Sequence, residues 1–327
     1  MRPAQTGRRA GRGLLRRLGT IFWSVTGSYF AYVAFRGSRE LVRPIVRAFV
    51  PDTEGAPATP ADLGLEYEDV RFTTDDGVTL AGWLVPAARE TRGAVIVLHG
   101  FSGHRLPEMA YFVPWLRRRY HILQFDFRGH GASDASRITF GALERRDVAA
   151  GVRFLENRGY GPIALLGVSM GAAIAILAAP DLPVAAVVAD ASYAELTHPV
   201  ANQMRDGGYP MAGFGSRVII AASALRSRAR WVSPINRVAR IAPRGLLLIA
   251  PKEDRLISYR QSLKLFDRAG EPKELFVVEG AGHAKSYFVA GAEYERRVLG
   301  FLGRHLDGEP FGNGAEKSPD IGPDGLS

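Results

Sequence analysis

The sequence predicts an α/β fold with a mostly parallel central sheet, helices on its flanks and a helical insertion over one edge. Three observations lead there. Six short, nearly continuous runs of Val, Ile, Leu, Phe and Ala mark strands buried on both faces, as in a parallel sheet. Helical patterns separate most of these runs, the rhythm of repeated βα units. Ahead of them, two strand-like segments flank an Asp-Gly turn and read as an antiparallel hairpin.

In chain order, the hairpin is Tyr67–Thr73 and Val78–Val85 around Asp75-Asp76-Gly77. The buried runs are Ala94–Leu98, His121–Phe125, Ile163–Leu166, Val184–Ala189, Leu246–Ala250 and Leu275–Val278. Helices are expected over Leu143–Asn157, where Val148, Val152 and Leu155 share one face, and over Met170–Ala179, Tyr259–Ala269 and Tyr287–Leu306. The stretch of about fifty residues at 193–242 is too long for a plain connection and is expected to form a helical cap. The globular domain is placed at 64–306, with no internal repeat.

The ends differ in kind. Residues 1–50 carry ten Arg against Glu40 alone, so the whole formal charge of +9 sits there. The remainder holds 32 basic and 32 acidic groups, which argues against nucleic acid as a partner. After the basic leader at 1–17, the uncharged run Leu18–Phe35 would reach about 27 Å as a helix, enough for a single membrane span. No small-x-small cleavage site follows it, so an uncleaved anchor is expected, with membrane lipid as partner. The Arg excess before the run orients the domain outside the cytoplasm. The other readings are an amphipathic helix lying on anionic lipid and a soluble extension. Residues 51–63 read as a Pro- and Ala-rich linker, and 307–327 as a disordered tail.

With no cysteine, the chain has no disulfide scaffold, thiolate zinc site or cysteine nucleophile. The sharpest chemical signal is Gly167-Val168-Ser169-Met170-Gly171, set between a strand and a helix. There G-x-S-x-G is a nucleophile elbow: small residues on either side let neighbouring backbone approach a serine on a strained turn. Serine needs a base, and the base needs a carboxylate that holds its tautomer. His283 follows the last buried run, and Asp254 follows the run before it. Both therefore sit at the carboxyl ends of strands, on the edge that carries Ser169. Glu253 is the rival acid. Phe101 and Met170 are the expected donors of two backbone N–H groups to an oxyanion. Ser102 has no elbow around it, and His99 reads as structural. His198 and His305 are expected at the surface, and His121 at a strand edge. Asp190 is read as a support or substrate contact. Arg226, Arg228 and Arg230 with Trp231 are read as a solvated face or a contact for anionic groups. No metal or organic cofactor is required by this chemistry.

These pieces resemble the α/β-hydrolase superfamily over residues 65–304. The similarity runs through YEDVRFTTDDGVTLAGWLV (67–85), VLHGFSG (97–103), DFRGHGASD (126–134), GVSMG (167–171), SPINRVARIAP (233–243), Asp254 and GAGH (280–283). It is strongest for the branch holding serine aminopeptidase (S33-type) enzymes and the membrane-anchored ABHD and Bem46-like hydrolases. The resemblance implies nucleophile, acid and base at Ser169, Asp254 and His283, and oxyanion amides at Phe101 and Met170. It makes Asp126, Arg128, Gly129, His130 and Gly131 a structural turn. Pro251 departs from the family, whose members usually carry Gly three residues before the acid. The activity implied is hydrolysis of a small-molecule or lipid ester through an acyl-enzyme. An aminopeptidase or amidase and a non-catalytic membrane-tethered scaffold are the alternatives.

Overall fold

The computed structural model describes residues 6–45, 57–101 and 104–308. Its strands are Glu68–Thr73 (β1), Thr79–Val85 (β2), Ala94–Leu98 (β3), His121–Phe125 (β4), Ile163–Val168 (β5), Ala186–Asp190 (β6), Gly245–Pro251 (β7) and Lys273–Val278 (β8). They form one sheet in the order β1-β2-β4-β3-β5-β6-β7-β8. The hairpin β1–β2 joins antiparallel to β4, and every later pairing is parallel. Expected and observed strands agree to within two residues at each end.

The chain enters the parallel part at β3, places β4 on one side, and then crosses to place β5 on the other. The winding thus reverses between β3 and β5, and a crevice opens at the carboxyl ends of those two strands. The helices are Thr6–Leu41 (α1), Leu106–Leu116 (α2), Glu144–Asn157 (α3), Met170–Ala178 (α4), Thr197–Asp206 (α5), Ala212–Ser227 (α6), Arg260–Arg268 (α7), Ser286–Ala290 (α8) and Ala292–Leu302 (α9). Alternate residues of each strand serve opposite faces. Ile96 and Leu98 pack in one core with Val148, Val152, Ile174 and Leu263. Val95 and Val97 pack in the other with Met109, Trp115, Val298 and Phe301.

Three differences from the sequence reading have local causes. Helix α2 was not expected from the sequence; it carries Pro107 in its first turn, where a backbone N–H has no intrahelical acceptor, and Pro114 in its interior. The helix expected over Tyr287–Leu306 is split at Gly291, whose φ of 47° ends α8 and starts α9. The folded body also includes Asp307, which the sequence reading assigned to the tail: it accepts from Arg89 (2.9 Å), Arg119 (2.7 Å) and Tyr120 (3.0 Å), all near the starts of β3 and β4. Residues 309–327 and 51–56 lie outside the described residues.

The expected membrane span is corrected. Among the described residues, no helix is long and apolar enough to cross a membrane. Thr20, Ser24, Thr26, Gly27 and Ser28 interrupt the run Leu18–Phe35, which is the middle of α1. The second half of α1 is occupied by packing on the cap: Phe30 stacks edge-on against Phe214, Tyr29 donates to the Pro210 carbonyl (2.7 Å), and Val33 is buried. Without a span, the orientation argued from flanking Arg has nothing to act on. The basic cluster is also partly used internally: Arg226 donates to Ser38 of α1 (3.1 Å) and covers Phe35, while Arg228 and Arg230 are exposed.

Candidate active site

Ser169 links β5 to α4 at φ 53° and ψ −111°, a conformation that L residues adopt only under strain of about 1–3 kcal/mol. The two glycines of the motif make room for it. A Cβ on Gly167 would overlap the backbone of Gly171, and a Cβ on Gly171 would overlap the Leu98 carbonyl oxygen. The Ser169 N–H donates to the Asp190 carbonyl at 2.8 Å, which pins the turn to the end of β6.

Ser169, His283 and Asp254, 114 and 29 residues apart in sequence, form one hydrogen-bonded chain. Ser169 Oγ lies 2.9 Å from His283 Nε2, and His283 Nδ1 lies 2.7 Å from Asp254 Oδ2. A carboxylate only accepts, so Nδ1 carries the hydrogen and Nε2 is left to receive the serine hydroxyl. The second carboxylate oxygen accepts the N–H groups of Leu256 (2.9 Å) and Ile257 (2.7 Å), which fixes the acid in a buried position. Cap residue Asn202 braces this loop by donating to the carbonyls of Leu256 (2.9 Å) and Arg255 (3.3 Å). Glu253 is exposed, and the chain runs through Asp254 instead.

Beside the serine, His99 is fully buried and holds the loop after β3. Its Nδ1 bonds the Gly100 carbonyl (2.7 Å) and its Nε2 accepts the Phe127 N–H (3.0 Å). Burial and the neighbouring His130 keep the ring well below the usual histidine range, so it remains neutral. With the Gly100 oxygen held by His99, the N–H of the next residue, Phe101, faces the opposite way across the planar peptide. Met170 is the first residue of α4, where backbone N–H groups have no acceptor within the helix.

The cavity in front of Ser169 is about 410 Å³ and is walled by Phe101, Tyr111, Phe112, Leu256, Tyr287 and Phe288. Two buried carboxyl groups also reach it. Glu108 accepts the Gly100 N–H (2.9 Å) through one oxygen, and its other oxygen has no hydrogen-bond partner among the described residues. Burial pushes the Glu108 carboxyl up to about 7. Asp190 accepts from Ser286 (2.8 Å) and Tyr294 (3.2 Å), and burial raises it to about 7 as well.

The sequence profile of the alpha/beta hydrolase family, by its own description the Alpha/beta hydrolase family, matches residues 95–297. The chain belongs to that family. Among solved structures, it is similar to an esterase of Pyrococcus furiosus: 30% identity, TM-score 0.68, covering 81% of this chain and 98% of that one. Among curated relatives, the Escherichia coli O157:H7 protein YfhR is 29% identical and the match covers 72% of this chain and 80% of YfhR. The polyketide transferase grgF of a Penicillium species is also 29% identical, over 74% of this chain and 98% of its own length.

The hydrolase's remaining sequence-predicted residues fall into place around this centre. Asp126 is buried, accepts the N–H groups of Arg105 (2.8 Å) and Ala132 (2.9 Å), and pairs with the Arg105 guanidinium. Gly131 must lack a side chain there, since a Cβ at its φ of 48° would overlap the Asp126 carboxylate. Arg128 is buried between Asp147 (2.7 Å) and Asp76 (2.7 and 2.9 Å). His121 bonds Ala87 and Thr91 at the strand edge. His198 and His305 are half-buried rather than exposed: His198 receives the Ser258 N–H (3.4 Å), and His305 fills the space beside Gly245. Ser102 lies outside the described residues. Among the described residues no group of His, Cys, Asp and Glu has a metal-binding arrangement. Sequence reasoning missed Glu108, because the helix that carries it was not expected.

Proposed function

We propose that this chain is a serine hydrolase that cleaves carboxylic esters. The observation that carries the reading is the hydrogen-bonded chain Ser169–His283–Asp254 opening into an aromatic-walled cavity. Ser169 Oγ attacks the acyl carbon while His283 Nε2 takes its proton, and Asp254 stabilises the resulting imidazolium. The carbonyl electrons move onto oxygen, and the N–H groups of Phe101 and Met170 donate hydrogen bonds to the oxyanion. Collapse expels the alkoxide, which leaves as the alcohol with the proton from His283. Water, deprotonated by His283, then attacks the acyl-enzyme and restores Ser169. The similarity to the Pyrococcus furiosus esterase supports the ester as substrate.

Labelling by a fluorophosphonate tests the reading. Wild type is expected to label, and Ser169→Ala is expected not to. A folded wild type that neither labels nor turns over p-nitrophenyl acetate would leave a scaffold role in its place.

A second reading is favoured by Glu108, a buried carboxyl bordering the cavity, one oxygen of which has no partner among the described residues and would receive a substrate amine. Cleavage of aminoacyl amides in preference to acyl esters would support that aminopeptidase activity. The Penicillium transferase adds one competing outcome, acyl transfer to an alcohol instead of water. Product analysis with added alcohol separates the two.

A further inference from the structure

A second cavity of about 300 Å³ lies between α1 and the cap, on the far side of Phe101. Its walls are largely apolar: Val33 and Leu41 from α1, Val200 and Met204 from α5, and Ile219 from α6. Phe101 and Gln203 line this space and also line the cavity in front of Ser169. The two cavities therefore meet across one pair of side chains. Phe101 is 44% exposed and lines both spaces, its ring against His130 and Phe140.

The N-terminal helix is held in place to form this wall. Ser38 is buried under Arg226, the Ile138 N–H donates to the Val42 carbonyl (3.2 Å), and the Ile45 N–H donates to the Gly129 carbonyl (2.6 Å). Residues 32–41 also precede the family match, which begins at residue 95. The cavity is thus walled in part by residues outside the range that the family profile matches.

We propose that this cavity is the acyl-chain site: the carbonyl of the ester lies at Ser169, and its hydrocarbon tail passes between Phe101 and Gln203 to end against α1. The occupant follows from the walls. A mostly apolar, partly enclosed space that shares Phe101 and Gln203 with the cavity at Ser169 suits an unbranched hydrocarbon, with Arg36 and Glu40 of α1 at its rim. The α1 helix then acts as a specificity element for medium-chain acyl esters. This inference rests on the esterase reading of Ser169.

The test is the chain-length profile of kcat/KM on p-nitrophenyl esters from acetate to dodecanoate, using the full chain. In wild type, kcat/KM is expected to rise about fourfold per methylene until the cavity is full, the transfer free energy of a buried CH2 converted to a rate ratio. Val200→Phe and Leu41→Trp fill the cavity from opposite walls. Each is expected to lower the octanoate-to-acetate ratio at least tenfold. A wild-type profile flat from acetate to octanoate, or folded variants that keep the wild-type ratio, would overturn the acyl site while leaving Ser169 as nucleophile. Failure of wild type to hydrolyse any of these esters or to label with fluorophosphonate would overturn both readings together. The wild-type profile decides the question even if neither variant folds.

Discussion

Asp190 holds the backbone of Ser169: the carbonyl that ends β6 accepts the serine N–H at 2.8 Å. The same residue's carboxyl group is bonded by Ser286 and Tyr294, at the starts of the two helices that follow His283. One residue thus ties the nucleophile's turn to the segment that carries the histidine. Sequence reasoning left Asp190 between support and substrate contact. Its bonds are those of a support, although it also borders the cavity.

Asp190→Asn is expected to flatten the pH dependence of stability. The carboxyl sits at about 7 in the folded protein against an ordinary 3.8, because burial disfavours its charge. A raised value means stability is fully present below about pH 4 and is lost as pH rises to about 7. The loss from this one group over that range is on the order of 4 kcal/mol. Urea unfolding at pH 5 and pH 8 should show a smaller difference in the variant than in wild type. An equal difference would mean that Asp190 does not titrate in that window.

Gly171→Ala is expected to cost more than a surface glycine change, about 2–3 kcal/mol or more. The added methyl group meets the Leu98 carbonyl oxygen, a backbone atom in the centre of the sheet that cannot step aside. Thermal unfolding of Gly171→Ala against Gly159→Ala, where the added carbon meets nothing within 4 Å but φ is 79°, separates crowding from backbone strain. Equal losses in the two variants would count against crowding.

Asp254→Asn is expected to lower kcat about ten-thousand-fold, while Glu253→Gln changes it little. The amide would present a donor as well as an acceptor to Nδ1, and the histidine tautomer that accepts from Ser169 would no longer be favoured. Steady-state hydrolysis of p-nitrophenyl acetate checks it. Comparable losses in both variants would show that the loop, and not the Asp254 carboxylate, is what matters.

Asp307→Ala is expected to destabilise the domain by about 1–2 kcal/mol, since one carboxylate joins Arg89, Arg119 and Tyr120 in a partly exposed cluster. A chemical-denaturation midpoint unchanged from wild type would show that the Asp307 cluster adds nothing to stability.

Much of this architecture was legible because it is written locally. Continuous apolar runs, the Asp-Gly turn and the Gly-x-Ser-x-Gly spacing each depend on neighbours in the chain. They suffice to place eight strands and to nominate Ser169, Asp254 and His283 at one edge. Helix α2 was not legible, since its prolines are harmless only in the positions where the fold puts them. Glu108 was lost with it, and no pattern in its own segment marks a carboxyl that will bond Gly100.

By itself, then, the sequence determined the order of strands along the chain, the strained serine turn and the order of the three residues that meet there. Tertiary structure alone decided that α1 lies against the cap and closes a second cavity, that Asp307 belongs to the folded body, and that Asp190 supports the serine. The physical reason is range. Steric rules on turns and alternation act within a few residues, whereas α1 and the cap, like Asp190 and Tyr294, are brought together only when distant apolar faces are buried against each other. An uncharged run flanked by arginine looks the same whether lipid or a neighbouring helix will cover it, and here Phe214 and Met204 of the cap lie against it.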